Sequence, residues 1–135
     1  MSEKIFYNRP GRFLYGNVEL QSVRADEAEG TLILRVVYAE REVQKIIYNG
    51  VYASQISPSL VGVRISLAEE VPLAILNDRR YIPAARQLFF VRDWVTPGFV
   101  SRLQQAGNKL YRHYISRQSE CLVVARKVEI LLPGS

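Results

Sequence analysis

The 135-residue chain has one cysteine, one histidine and no long apolar run, and each shortage excludes a class of protein. Cys121 has no second thiol to pair with, so an internal disulfide is excluded and a cytoplasmic location is expected. His113 and Cys121 supply too few nitrogen and sulfur donors for a zinc-type metal site. No stretch approaches the roughly 18 apolar residues that cross a bilayer. The N-terminus also lacks the apolar core of a signal peptide, so we expect a soluble protein with no membrane partner.

Carboxylates are scarce in the second part of the chain. Residues 1–78 carry eight basic and ten acidic side chains, whereas residues 79–135 carry ten basic and three acidic ones. The chain has a net charge of +5, and its second part alone contributes +7. Such a one-sided distribution favours an anionic partner. The alternative is that the arginines only keep the surface solvated.

The sequence holds no pattern typical of a catalytic or cofactor site, so no cofactor is expected and a non-enzymatic role is favoured. The stretch "RPGR" does not match the G-x-x-x-x-G-K pattern of a phosphate loop. Cys121 follows Glu120 and has no neighbouring cation to lower the pKa of its thiol, which favours a buried structural cysteine. The segment that carries His113, residues 99–118, has no carboxylate to orient a catalytic imidazole, so we expect a surface histidine that gains charge below about pH 6.5.

The first half of the chain reads as antiparallel strands. Apolar residues alternate with polar ones in "NVELQSV", and "TLILRVVY" places Leu32, Leu34, Val36 and Tyr38 on one face. The intervening "RADEAEG" is typical of a turn. In "KIIYNGVYAS", Asn49 and Gly50 are the residues that a two-residue type I′ turn prefers, so we predict a hairpin there.

The later strands are less regular in sequence. "LVGVRIS" predicts a strand with a bulge or bend at Gly62, and "LFFVRDWV" predicts a buried strand. Residues 67–87 fit either a short helix in "PLAIL" or a turn in "NDRR". The closing "CLVVARKVEILLP" predicts one long strand with a shared apolar face that Arg126 interrupts.

A helix is predicted with Thr96 as its cap and Pro97 at its first position, and its two faces are assigned over residues 99–117. At 100° per residue, one side of this helix is apolar: Phe99, Leu103, Ala106, Leu110 and Tyr114. The other side carries cations within an arc of roughly 140°: Arg102, Lys109, Arg112, His113 and Arg117. No carboxylate lies between residues 99 and 118. Gly107 is a point where the helix is expected to kink or end, because glycine disfavours helix interiors.

These elements predict a single α+β domain over residues 1–135. The expected architecture is a strongly curved antiparallel sheet or small barrel, with one long C-terminal helix packed on it and a final strand after the helix.

The cationic helix face is the predicted contact surface for an anionic partner, either nucleic acid or an acidic protein surface. The favoured function is therefore a non-enzymatic nucleic-acid-binding domain. One alternative is an assembly subunit that docks into a larger complex through strand edges and aromatic residues. Another is a small ligand-binding or enzyme domain built on the curved sheet.

A secondary basic and aromatic patch lies near the N-terminus, at Lys4, Tyr7, Arg9 and Arg12. Aromatic rings interleaved with arginines can stack bases while the cations hold phosphates. The competing interpretation is that the aromatic residues of this segment belong to the core of the first strands.

Overall fold

Nine strands form one antiparallel sheet in the parts of the chain that the structure describes. The structure is a computed structural model, and it describes residues 3–7, 11–38, 41–89, 97–115 and 119–132. The strands are β1 (Glu3–Tyr7), β2 (Gly11–Asp26), β3 (Thr31–Tyr38), β4 (Arg41–Asn49), β5 (Ala53–Ser54), β6 (Arg64–Val71), β7 (Lys109–Ile115), β8 (Ser119–Ala125) and β9 (Lys127–Leu132). Their order across the open sheet is β1-β9-β4-β3-β2-β6-β7-β8-β5.

Two α-helices and three 3₁₀ turns complete the described structure. They are α1 (Ile82–Phe89), α2 (Pro97–Gln105) and the 3₁₀ turns Pro58–Leu60, Leu73–Asn77 and Arg79–Tyr81. Within the described ranges, no helix has the length and apolar composition that crossing a bilayer requires.

The connection between β8 and β9 requires the sheet to curl. These strands are six places apart in the sheet order, yet Arg126 alone separates them in the chain. A flat sheet with about 4.8 Å between strands would hold them roughly 29 Å apart, whereas the Cα atoms of Ala125 and Lys127 can be separated by at most about 7 Å. The curl brings β4 opposite β7, so that the ring centroids of Tyr48 and Tyr111 lie 5.4 Å apart.

The inner face of the curled sheet holds the first hydrophobic core. Leu14, Leu34, Tyr48 and Tyr111 are among its largest fully buried side chains. Burying an aliphatic or aromatic side chain of this size stabilises the fold by about 1.5–3 kcal/mol.

The outer face of β7 and β8 forms a second core against the helical segments. Leu110 and Leu122 come from the strands. Leu76 comes from the 3₁₀ turn Leu73–Asn77, and Leu103 comes from α2. Because Val123 points into the first core, β8 is buried on both faces.

The predicted helix over residues 99–117 is wrong beyond the ninth residue of α2. The backbone N–H of Gly107 donates to the carbonyl of Gln104 at 3.0 Å, and that of Asn108 donates to the carbonyl of Leu103 at 3.0 Å. Gly107 has φ +88°. This pair of bonds around a left-handed glycine is a Schellman motif, which ends a helix. The chain then continues as β7.

The predicted fold class is therefore also wrong. The long helix is absent because α2 has only nine residues, from Pro97 to Gln105. Three strands follow α2 instead of one, and the sheet is open and does not close into a barrel.

The hairpin predicted at Asn49 and Gly50 is wrong, although Gly50 does have a positive φ of +65°. The segment after Gly50 leaves β4 and joins β8, where the backbone N–H of Tyr52 donates to the carbonyl of Val124 at 2.8 Å. β5 pairs with β8 and not with β4.

The first strand predictions are confirmed, except that Tyr38 is exposed and does not share the buried face of Leu32, Leu34 and Val36. "NVELQSV" lies in β2 and "TLILRVVY" forms β3, with Leu32, Leu34 and Val36 buried inward. The turn between these strands contains Gly30, whose φ is +66°.

The later strand predictions are confirmed only in part. β6 begins at Arg64, two residues after the turn that contains Gly62. Leu88 and Phe89 end α1 instead of beginning a strand, and residues 90–96, with the predicted cap Thr96, lie outside the described residues.

The C-terminal segment also differs from the prediction. The predicted single strand is two strands with different inward faces. Leu122 and Val124 belong to the second core, whereas Val128 and Ile130 belong to the first. The face changes at Arg126.

Gly50→Val should destabilise the fold strongly for two reasons. Its φ of +65° disfavours a β-branched residue, and a Cβ at this position would lie 2.9 Å from Cγ and Cδ of Arg126. The conformational strain costs about 1–3 kcal/mol, and the overpacking adds about 1–3 kcal/mol. Chemical denaturation measures the sum.

Gly62→Val is the matched control. Gly62 also has a positive φ, +97°, but an added Cβ would have no heavy atom within 4 Å. We expect the control to lose only the conformational part. Equal losses in the two variants would contradict the close packing of Arg126 on Gly50.

Candidate functional site

The structure divides the predicted cationic surface between a helix and a strand. Arg102 is exposed on α2, whereas Lys109, Arg112 and His113 belong to β7. Arg117 lies outside the described residues. Side chains alternate between the two faces of a strand, so Arg112 points away from Lys109 and His113. The helical arc that motivated the prediction is absent, and binding of an anionic partner by this set stays a prediction.

His113 lies in the first core, and the expectation of a surface histidine is wrong. Its side chain is 0% exposed. Nδ1 donates to the carbonyl of Cys121 at 3.0 Å, so Nε2 is the acceptor and takes a hydrogen bond from the hydroxyl of Tyr48. This arrangement requires a neutral imidazole. Burial lowers the pKa of His113 to about 4, because the charged form is poorly solvated in the core.

Aromatic rings surround the pair of Tyr48 and His113. Phe13 makes edge-to-face contacts with the rings of Tyr48, Tyr111 and His113 at centroid distances of 6.5, 5.8 and 6.4 Å. Burial also raises the pKa of Tyr48 and that of Tyr111. Since Tyr48 and His113 are both fully buried, their hydrogen bond serves to satisfy polar atoms in the core.

Arg112 is held in a network on the outer face of β7. Its Nη1 donates to the hydroxyl of Tyr81 at 2.7 Å, and this hydroxyl donates to Oε2 of Glu120 at 3.1 Å. Its Nη2 lies 3.5 Å from Oε2 of Glu69, and its guanidinium carbon lies 4.9 Å from the ring centroid of Tyr114. These contacts fasten the 3₁₀ turn that contains Tyr81 to the sheet.

The secondary patch is not brought together on adjacent strands. Lys4 and Tyr7 belong to β1 at one edge of the sheet, and Arg12 is an exposed residue of β2, four places away in the sheet order. Arg9 lies outside the described residues. A binding role for this patch stays a prediction.

A groove of about 460 Å³ lies between α2 and the segment that follows β4. This volume is within the range of about 300–1,000 Å³ that is typical of small-molecule sites. The residues that line the groove come from three separate parts of the chain: Gly50, Val51, Tyr52, Phe99, Arg102, Leu103, Ala106, Asn108 and Arg126. We name this feature the arginine groove.

Arg126 is positioned by the bend between β8 and β9. Its backbone N–H donates to the carbonyl of Asn49 at 2.9 Å, and its aliphatic carbons pack over Gly50. The Cβ of any larger residue at position 50 would lie 2.9 Å from Cγ and Cδ of Arg126, so this side chain would have to leave its position over Gly50. Arg126 is exposed and is one of the residues that line the groove.

Three aromatic rings pack together on one side of the arginine groove. The rings of Tyr52 and Phe89 lie 5.8 Å apart, those of Tyr52 and Phe99 lie 6.4 Å apart, and those of Phe89 and Phe99 lie 5.0 Å apart. All three contacts are edge-to-face, a favoured geometry for aromatic pairs. Tyr52 remains 55% exposed.

The arginine groove has a positive charge. Arg102 and Arg126 line it, and no carboxylate is among the described residues of its wall. A second groove of about 410 Å³ shares Val51 and Tyr52 with it and contains Asp26 and Glu27. Tyr52 therefore stands between surfaces of opposite charge.

Sequence reasoning finds Arg102 and misses Tyr52, Phe99 and Arg126 as members of one site. The helical projection assigns Phe99 to a buried face, and Arg126 stands out only as an interruption of an apolar pattern. That interruption is the available signal, because an arginine inside a buried strand marks a place where the chain reaches the surface.

Two further expectations concern metal binding and Cys121. Burial raises the pKa of the Cys121 thiol, which is typical of a structural cysteine. Among the described residues, no group of three or more histidine, cysteine, aspartate or glutamate side chains is placed to hold a metal ion.

Comparisons with known proteins leave the site to be interpreted from its own geometry. No family profile, curated protein or solved structure matches the chain.

The buried His113 should make the fold sensitive to acid. Its pKa is about 4 in the folded chain, against an ordinary value of 6.5. The unfolded chain therefore binds a proton that the folded chain does not, and stability falls as the pH falls from 6.5 to 4. The loss from this group amounts to roughly 3 kcal/mol at 1.36 kcal/mol per pKa unit.

Denaturant unfolding of the wild type and of His113→Gln across this pH range tests the assignment. Glutamine does not titrate, so the variant should be less stable at neutral pH and show a weaker dependence on pH. The same pH dependence in both proteins would show that His113 is not buried as a neutral ring.

Proposed function

We propose that the chain binds nucleic acid and that the arginine groove contacts its phosphates. Two exposed arginines, Arg102 and Arg126, line the same groove, and this observation carries the proposal. Among the described residues that line the groove there is no carboxylate. Guanidinium groups bind phosphate oxygens with two parallel hydrogen bonds, which makes arginine well suited to this contact.

The charge of the second part of the chain supports the same proposal. Residues 79–135 have ten basic and three acidic side chains, and both groove arginines belong to this part. Neutralising phosphates releases condensed counterions from nucleic acid, and this release drives binding at low salt.

The groove favours nucleic acid over an acidic protein surface because an exposed aromatic ring adjoins the cations. Tyr52 lines the groove together with both arginines. Aromatic rings beside a cationic path are typical of proteins that bind nucleic acid, since bases stack on them. An acidic protein surface pairs with the arginines through carboxylates, whereas nucleic acid supplies a stacking face beside every phosphate.

Of the cationic residues that the sequence predicts to bind an anionic partner, only Arg102 lines the arginine groove. Arg126, the second arginine of the groove, is not part of that predicted set. Arg112 and His113 already have structural partners in Tyr81 and Tyr48. The roles of the two remaining residues, Lys109 and Arg117, stay predictions.

Arg102→Gln and Arg126→Gln should each weaken binding and flatten its salt dependence. Glutamine removes the charge and keeps much of the side chain. Each lost phosphate contact should reduce the log–log salt slope by about 0.7 for single strands. The double variant should lose about twice this amount, measured by fluorescence anisotropy with a labelled oligonucleotide at several salt concentrations.

Arg79→Gln is the matched control, because Arg79 is exposed and does not line the groove. Its neighbour Arg80 pairs with Glu120 at 2.8 Å. Glu120 lies opposite Tyr114 on β7. Tyr114 and Asn108, which lines the groove, are six residues apart along the chain, or roughly 20 Å of extended strand. The control residue therefore belongs to a part of the surface away from the groove.

If Arg79→Gln lowers the affinity and the salt slope as much as the groove variants do, the effect depends only on net charge. This result would contradict a binding site at the groove. Absence of binding to both single- and double-stranded nucleic acid at low salt would exclude the proposed function. In that case, binding of an acidic protein that is lost in the Arg102 and Arg126 variants would show that the partner is a protein.

A further inference from the structure

We propose that the arginine groove binds an unpaired nucleotide, whose base stacks on Tyr52 while Arg102 and Arg126 hold the flanking phosphates. This inference rests on the proposed function and names its substrate class as single-stranded nucleic acid. It starts from the exposure of Tyr52, which is 55% exposed although it adjoins an apolar cluster.

The Tyr52 ring is held in a defined orientation before any ligand binds. Its backbone N–H is bonded to Val124 of β8 at 2.8 Å. Its ring packs against Phe89 with an interplanar angle of 62° and against Phe99 with an angle of 65°. Since the ring is already ordered, stacking a base on it immobilises few additional rotamers.

Base pairing would prevent this contact. In a duplex, each base is covered on both faces by its neighbours in the stack, so a protein ring reaches a base face only after the base is unstacked. Unstacking and unpairing cost a few kcal/mol per base, whereas the bases of a single strand are accessible. The groove should therefore prefer single strands over a duplex of the same sequence.

The second groove limits the path of the strand. Asp26 and Glu27 line it, and it meets the arginine groove at Val51 and Tyr52. These carboxylates repel phosphates, so the backbone of the bound strand turns away at Tyr52. The resulting binding site should cover only a few nucleotides.

The groove offers few directional donors for reading base edges. The backbone N–H groups of Val51 and Arg126 are bonded to the carbonyls of Gly30 and Asn49, each at 2.9 Å. The side-chain amide of Asn108 donates to the carbonyl of Leu103 at 3.1 Å. With these donors engaged within the protein, recognition depends on stacking and on phosphate charge, and binding should tolerate different base sequences.

Fluorescence anisotropy with a thymine oligonucleotide, a mixed-sequence single strand and the duplex of that mixed sequence tests the inference. The wild type should bind the two single strands with similar affinity and the duplex more weakly. Tyr52→Leu should weaken single-strand binding by about 5- to 150-fold, the range that corresponds to loss of one stacked base. Tyr52→Phe keeps the ring and should stay within about threefold of the wild type.

Tyr38→Leu is the control for loss of an exposed tyrosine. Tyr38 is 58% exposed at the end of β3 and does not line the arginine groove. Its replacement should leave binding unchanged. Thermal unfolding of each variant verifies that the fold is retained, which is expected at sites this exposed.

The outcomes separate this inference from the function on which it rests. If the arginine variants flatten the salt slope but Tyr52→Leu binds single strands as the wild type does, the phosphate-binding function holds and the stacking inference is wrong. Tighter binding of the duplex than of the single strands would also overturn the inference. If neither form binds at low salt, the proposed function and the inference fail together.

Discussion

The one-residue link at Arg126 connects two strands that lie on opposite sides of the sheet order, and the rest of the structure depends on it. β8 pairs with β7 and β5, whereas β9 pairs with β4 and β1. A chain this short between them is incompatible with a flat sheet, so the sheet curls around its inner core. The contact of Tyr48 with His113 and Tyr111 across this interior follows from the same constraint.

The curl also explains where the candidate site lies. The segment after Gly50 leaves β4 and reaches β8, and it does so beside the bend at Arg126. Helix α2 packs over the outer face of β7 and β8, and its exposed side borders this crossing. Three segments that are distant in sequence thus form one groove. Its arginines come from the helix and from the bend, and its exposed ring comes from the crossing segment.

The elements that can be predicted from the sequence are those whose signals are local. β2 and β3 alternate in polarity because one of their faces is buried, and Gly107 is recognisable as a place where a helix can end.

β7 resembles a helix in sequence because both of its faces have partners. Its inward face carries His113 and its outward face carries Leu110 and Arg112, so polar and apolar residues do not separate with a period of two. The partners of this strand come from elsewhere in the chain, as does the strand that the segment after Gly50 joins. No local pattern encodes those pairings, so the sequence indicates the exposed position of Arg102 but not its neighbours in the groove.

We propose that the curl of the sheet assembles a groove for nucleic acid from three distant segments. Backbone amide chemical shifts, followed during titration with a short single-stranded oligonucleotide, test this proposal. We expect the largest changes to occur together at Val51 and Tyr52, at Arg102 on α2 and at Arg126. Changes centred instead on the outer face of β3 and β4, at Ile33 and Ile47, would contradict it. A titration that leaves the groove residues unshifted would contradict it equally.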